Sequence, residues 1–242
     1  MARSRACTWP YVGFFAVTLG AALGTILFLN PYAMLIDVHT HHRPAIPEES
    51  IWNVPAGGFR REKGFYYSVG IHPWQVKEDW EPEFLLVKEI VSIPTVLAVG
   101  EAGLDRFAAG NMALQKTVFE RQIELSEEWR KPLIIHCVKC FNELIQLKRE
   151  LKPKMPWIVH GFRNNPFIAE RLLNEECYLS FGERYQTAVL QMIPEDRLLT
   201  ETDEGTAGIR TVIRGISERK NLSYEALLKR IDENVRSLFF KR

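Results

Sequence analysis

The sequence predicts an α/β fold: a (β/α)8, TIM-type barrel whose helices 1 and 2 are reduced or missing. Three observations carry this reading. Eight short, largely apolar and β-branched runs recur along the chain, as expected for strands buried on both faces of a parallel sheet. Amphipathic stretches separate most of them, the alternation that marks an α/β domain. Five histidines and two acids lie in, at or just past the ends of these runs, where such barrels build their sites.

The first three runs are "LIDVH" (35–39), "SIWNV" (50–54) and "FYYSVGI" (65–71). Ten residues separate the first from the second (40–49), and ten the second from the third (55–64). Neither interval reads as a helix, so one flank of the barrel is expected to lack its cover, which invites a second copy of the chain. "EPEFLLVKEIVS" then starts with acids and carries Pro82 in its first turn, a helix N-terminus. The fourth run, "TVLAVGE" (95–101), precedes "NMALQKTVFERQIELSEEWR", in which Leu114, Val118 and Leu125 form one apolar stripe. "PLIIHCV" (132–138), "WIVHGF" (157–162), "CYLSFG" (177–182) and "RLLTETD" (197–203) complete the strands. Helical patterns "FNELIQLKREL", "PFIAERLLNEE" and "YQTAVLQMI" lie between them, and "GIRTVIRGISERK" and "YEALLKRIDENVRSLFF" close the chain. Residues 34–242 thus form one barrel domain, at the short end for this fold.

Residues 1–33 stand apart. No charged residue occurs from Ala6 to Ile36, and Arg3 and Arg5 precede the run. "YVGFFAVTLGAALGTILFL" approaches the roughly 20 residues that cross a bilayer. It can be read as a signal anchor, as a cleaved signal peptide, or as an upstream extension of a frame that starts at Met34. The third reading is adopted, because only Asn30 to Ala33 would join a membrane helix to the first strand. Four cysteines in 242 residues do not make a disulfide framework. A cytoplasmic protein is expected, membrane-anchored if residues 1–33 are retained.

The composition is ordinary for a globular protein, 46% hydrophobic and 25% charged. A formal charge of +1 rules out a protein-wide basic field. Walker, dinucleotide-binding and nucleophile-elbow motifs are missing from the sequence, against ATP, NAD or serine-hydrolase chemistry. "CVKC" (137–140) has redox spacing but lies in a strand, and alternation turns Cys137 away from His136.

What remains is a ligand set. His39 and His41 end the first run two residues apart, so both can face the barrel axis, with His42 outside. His72 follows the third run, and His136 and His160 lie in the fifth and sixth. Glu101 ends the fourth run and Asp203 the eighth. Any one of these alone is more often a satisfied polar residue or a helix cap. Together, imidazoles and carboxylates suit borderline divalent ions. They exceed the needs of one tetrahedral ion and suit two, bridged by a carboxylate and about 4 Å apart.

Six ordered motifs make the chain resemble the TatD family of metal-dependent hydrolases, within the amidohydrolase-like barrels: "IDVHTHH", "SVGIHPW", "AVGEAGLDR", "FERQIELSEEWRKPLIIHC", "VHGF" and "LLTETD". The resemblance implies that His39, His41 and Asp203 bind one ion, that His136 and His160 bind the second, and that Glu101 bridges them. It implies that Asp203 also orients or deprotonates the attacking water. His72 is implied beside the site, against substrate phosphate or a metal-bound water. The implied activity is phosphodiester hydrolysis by a hydroxide held on two divalent ions (Zn, Mn or Mg), typically as a deoxyribonuclease. DNA or a small phosphodiester is then the expected partner.

The chain departs from the family pattern at His42 and Arg43, at "HGFRNNP", and at Glu204 and Gly205. These changes spare the ligands and alter the rim. A metal-dependent amidase, lactonase or phosphotriesterase, or a non-catalytic metal-binding barrel, is therefore the alternative. At the rim, Arg163 and Arg106 are candidate phosphate contacts. Trp74 is a candidate for stacking on a base, or else packs under a loop.

Overall fold

A computed structural model describes residues 34–240. The expectations for residues 1–33 lie outside the described residues. Eight strands run parallel and pair in chain order: β1 (Asp37–Thr40), β2 (Ser50–Asn53), β3 (Tyr66–Val69), β4 (Val96–Asp105), β5 (Leu133–Val138), β6 (Trp157–Val159), β7 (Tyr178–Phe181) and β8 (Leu198–Thr200). Seven α-helices surround them among the described residues: α1 (Glu81–Val91), α2 (Met112–Trp129), α3 (Phe141–Leu151), α4 (Pro166–Asn174), α5 (Thr187–Met192), α6 (Ile209–Lys220) and α7 (Tyr224–Val235). The strands are apolar because the barrel buries both faces, and all ten residues of β4 are buried. The helices start on side-chain caps where loops supply them. Asn111, Asn165 and Ser223 accept the N–H groups of Ala113, Ile168 and Ala226.

β1 and β8 meet at a seam built from polar groups. The Asp203 N–H donates to the His39 carbonyl at 2.9 Å, and the His41 N–H donates to the Asp203 carbonyl at 3.1 Å. Below them the buried Asp37 carboxylate accepts the Thr202 N–H at 3.0 Å, the Thr202 hydroxyl at 2.8 Å and the Ser50 hydroxyl at 3.2 Å. Burial pushes the Asp37 carboxyl up to about 7, against the lowering effect of the Thr202 hydrogen bonds. The seam thus holds the loop that carries Asp203 against the strand that carries His39.

Helices 1 and 2 are missing, as the spacing predicts. The β1–β2 and β2–β3 connections hold only the 3-10 turns Pro47–Glu49 and Ala56–Gly58. The C-terminal turn Arg236–Phe240 reaches this part of the barrel, where Phe240 packs edge-on to Tyr66 of β3. Two sequence expectations shift. β4 continues to Asp105, so Glu101 sits within the strand rather than at its end. The pairing with β5 slips between Val99 and Ala102, where Gly100 and Gly103 adopt φ of 141° and 151°. On α2 the buried face includes Gln115 and Gln122, while Leu114 is only half-buried. Among the described residues no helix is long and apolar enough to cross a membrane.

Candidate metal centre

The strand ends carry their polar side chains into one group at the mouth of the barrel. His39 is fully buried on β1, and His41 lies just beyond it at the rim. His72 caps the 3-10 turn Pro73–Gln75. Its Nδ1 accepts the Trp74 N–H at 3.2 Å, which leaves Nε2 facing the barrel mouth. Gln122 fixes the residue before it by accepting the Ile71 N–H at 2.7 Å and donating to the Ile71 carbonyl at 3.1 Å. His136 comes from β5, His160 follows β6 directly, and Asp203 follows β8 with φ of 53°. Aspartate tolerates this left-handed backbone better than most residues.

Glu101 is the centre of the group, and its two oxygens face different histidines. Oε2 lies 3.1 Å from His41 Nε2 and 3.4 Å from His39 Nε2. Oε1 lies 2.7 Å from His160 Nε2, 2.8 Å from His136 Nδ1 and 3.4 Å from His72 Nε2. Asp203 Oδ1 stands 3.7 Å from the Nε2 atoms of both His39 and His41. The backbone adds a hold from behind: the Glu101 N–H donates to Asn53 Oδ1 at 2.9 Å. Ligand atoms of His39, His41 and Glu101 lie within 4.8 Å of one another. So do those of His39, His160 and Asp203, and those of His72, Glu101 and His136.

These spacings suit a shared cation. Donors about 2.0–2.2 Å from one ion lie roughly 3.0–3.5 Å from each other. Both ring nitrogens of His39 are buried and find no hydrogen-bond partner among the described residues, an arrangement that costs free energy unless something else engages them. Charge points the same way. Glu101, Asp105, Glu201 and Asp203 ring the imidazoles. Among the described residues the guanidinium that reaches this group is that of Arg163, 3.7 Å from Asp203 Oδ2. Burial alone would raise Glu101, but the imidazoles of His160, His136 and His39 outweigh it and hold its carboxyl well below the usual range. Burial pushes His39 down, helped by the His160 charge. At His160 burial also lowers, but Glu101 wins and holds it well above the ordinary imidazole value. His41 is raised by its hydrogen bond to Glu101. The residues fit divalent metal.

Comparison with known proteins agrees. Residues 59–240 match the family model described as TatD related DNase.

The chain belongs to the TatD family.

A relative from Bacillus subtilis (strain 168), described as the uncharacterized metal-dependent hydrolase YabD, is 29% identical over 72% of this chain and 77% of its own length. A Cronobacter turicensis protein named 3'-5' ssDNA/RNA exonuclease TatD is 29% identical over 60% of this chain. The match spans 59% of that exonuclease. Among solved structures, the TatD homologue YjjV from Escherichia coli superposes with a TM-score of 0.73 at 19% identity, covering 87% of this chain and 99% of its own. A TatD family hydrolase from Entamoeba histolytica gives 0.69 at 17% identity, covering 86% and 98%. Both share the fold.

Within this TatD barrel two clefts flank the ligand group and share His136, His160 and Asp203. One, of about 380 Å³, carries Trp74, Pro55, Asn53 and Glu204 on its walls. The other, of about 480 Å³, carries Lys139, Phe141, Arg163 and Asn165. Trp74 is 66% exposed, so it does not pack under a loop. Arg163 lines the second cleft, whereas Arg106 pairs with Glu143 and lines neither. His42 lies outside the ligand group, as alternation predicts.

Sequence reading passed over Asp105, Glu201, Gln115 and Gln122. Asp105 lies 2.8 Å from His136 Nε2 and accepts the Trp74 indole N–H at 2.6 Å. Glu201 is buried, accepts the Gly161 N–H at 2.6 Å and stands 3.7 Å from His160 Nδ1. Cys137 is held well above the usual thiol value by burial and by Cys140, the opposite of a redox thiol.

Proposed function

We propose that the protein is a divalent-metal-dependent phosphodiesterase acting as a deoxyribonuclease on unpaired nucleic-acid ends. One observation carries the reading: the two oxygens of a single buried carboxylate, Glu101, face two separate imidazole groups. His39, His41 and Asp203 with Glu101 Oε2 would hold one ion. His136 and His160 with Glu101 Oε1 would hold the second. When bound, such a pair supplies Lewis acidity, lowering the pKa of a coordinated water towards about 7 and neutralising charge on phosphoryl oxygens.

The chain's own residues do the rest. Asp203, poised between His39, His41 and Arg163, orients the attacking water and takes its proton. Arg163 holds a non-bridging phosphate oxygen across the second cleft. His72 presents Nε2 beside Glu101 Oε1, within reach of the phosphoryl group. Trp74 offers an exposed indole face on which an unstacked base can lie. Arg106 joins the phosphate contacts only by leaving Glu143. The name of the Cronobacter relative, a single-strand exonuclease, supports this substrate class. A net charge of +1 suits a short terminal segment better than a long duplex.

Chelator-treated protein is the test. Single-stranded oligonucleotides labelled at either end should be trimmed only after Mn²⁺, Mg²⁺ or Zn²⁺ is restored, and duplex of the same sequence should resist. Bis-p-nitrophenyl phosphate should be cleaved under the same conditions. Hydrolysis of a lactone or amide panel with nucleic acid untouched would replace this reading with the small-molecule one. Metal-independent turnover would remove the mechanism.

A further inference from the structure

Asp105 has no place in the ligand set, yet it is buried and fully engaged behind Trp74 and His136, which line the first cleft. Its Oδ2 accepts the Trp74 indole N–H at 2.6 Å and stands 2.8 Å from His136 Nε2. Its Oδ1 accepts the Phe107 N–H at 2.8 Å. Its backbone is clamped by Gln115, whose Oε1 accepts the Asp105 N–H at 2.9 Å and whose amide donates to the Asp105 carbonyl at 3.2 Å. Alternation along β4 puts Asp105 on the same side as Glu101.

We infer that Asp105 is a positioning residue: it fixes His136 in the tautomer that offers Nδ1 to the metal centre, and it ties that ring to Trp74 at the rim. The inference rests on the metal-binding part of the function proposed above and on no particular substrate. An ionised carboxylate only accepts hydrogen bonds, so His136 Nε2 carries the proton. The other nitrogen, Nδ1, lies 2.8 Å from Glu101 Oε1. With Nε2 committed to Asp105, Nδ1 is the nitrogen left to offer a metal ion beside Glu101. A carboxylate behind a ligating histidine sets the ring's orientation and raises its basicity. The same oxygen anchors the indole, so the wall on which a base stacks and the ligand beneath it share one support.

The chemistry explains why a carboxylate stands there. Three N–H groups converge on its two oxygens, from Trp74, His136 and Phe107. An asparagine has one acceptor oxygen and turns an N–H₂ group on at least one of the three donors. Trp74→Phe is gentler. It keeps an aromatic face and deletes one N–H at the surface.

The test is Mn²⁺ binding to the chelator-treated full chain, without substrate, followed by calorimetry and by the paramagnetic resonance signal of free ion. Wild type should bind two ions. Asp105→Asn should weaken one of them by 10–100-fold and leave the other within a factor of two. Trp74→Phe should weaken the same ion by a smaller factor, and the double variant should match Asp105→Asn rather than the sum of the two. Nitrogen NMR of the Zn²⁺-loaded protein should show His136 bound through Nδ1 with its proton on Nε2 in wild type, and a mixture of ring-nitrogen states in Asp105→Asn, a readout that general loosening of the fold does not move. Unchanged affinity in both variants overturns the inference and leaves the proposed function standing. If Asp105→Asn does not fold, unchanged affinity in Trp74→Phe overturns it alone. A wild type that binds no ion overturns both.

Discussion

Glu101→Gln separates the proposed arrangement from its alternatives most sharply. The carboxylate is 3% exposed and faces His39 and His41 through Oε2, and His72, His136 and His160 through Oε1. A glutamine keeps the shape but has one acceptor oxygen, so an amide N–H₂ group must face one of the two imidazole groups. One ion per chain should remain where wild type should hold two. Losing one of two Lewis acids removes several kcal/mol of transition-state stabilisation. At about 4 kcal/mol that is a fall of roughly 10³ in kcat. The metal-free protein should suffer as well, because the substitution strips the counter-charge from His160, which Glu101 holds well above its ordinary value. Breaking a buried ion pair costs about 3–5 kcal/mol, or ~6–20 °C in Tm for a domain of this size. Elemental analysis of the dialysed variant, turnover on bis-p-nitrophenyl phosphate and a melt in chelator read all three. Two tightly held ions together with wild-type turnover in Glu101→Gln would refute the reasoning.

Three further outcomes are expected. Trp74→Ala, assayed at saturating Mn²⁺, should weaken binding of a single-stranded oligonucleotide by about 1–3 kcal/mol, seen as a raised KM, while cleavage of bis-p-nitrophenyl phosphate changes much less. Gly103→Ala should destabilise by about 3 kcal/mol through overpacking: an added Cβ would sit 1.9 Å from the His136 carbonyl oxygen at φ of 151°, and a melt with unchanged midpoint would contradict this. Burial pushes the Cys177 thiol up to about 12 from 9.0, so the folded state keeps a proton that the unfolded chain has lost. Its stabilising contribution is therefore complete below about pH 9 and declines as pH rises towards 12. Relative to Cys177→Ala, wild type should lose roughly 1–2 kcal/mol between pH 9 and 10.5 in urea titrations, and a parallel pH dependence of the two would refute the assignment.

The barrel was legible because parallel strands announce themselves: β1 to β8 are short β-branched runs, and nothing between β1 and β3 has helical period. The cluster of imidazoles and carboxylates was legible for a related reason. Once the runs are strands, residues at their C-terminal ends must converge, however far apart His39 and Asp203 lie in the chain. What escaped was whatever breaks a simple period. Glu101 reads as a strand end, yet the pairing slip near Gly100 and Gly103 carries β4 four residues further. Continuing the alternation from Glu101 through Gly103 finds Asp105 on the same face, and stepping back two from Asp203 finds Glu201. Gln115 and Gln122 gave no such signal. A helical stripe is read from apolar residues, and these amides are buried because each clamps the backbone of one residue, Asp105 or Ile71. The rim resisted for another reason: whether Arg106 or Arg163 turns inward depends on a tertiary partner, Glu143 for the first and Asp203 for the second.

Anomalous diffraction from crystals grown with Mn²⁺ tests the central claim most directly. Two peaks are expected about 3.5–4 Å apart, one against His39 and His41, the other against His136 and His160, with a Glu101 oxygen on each. A single peak, or ions bound away from Glu101, would contradict it.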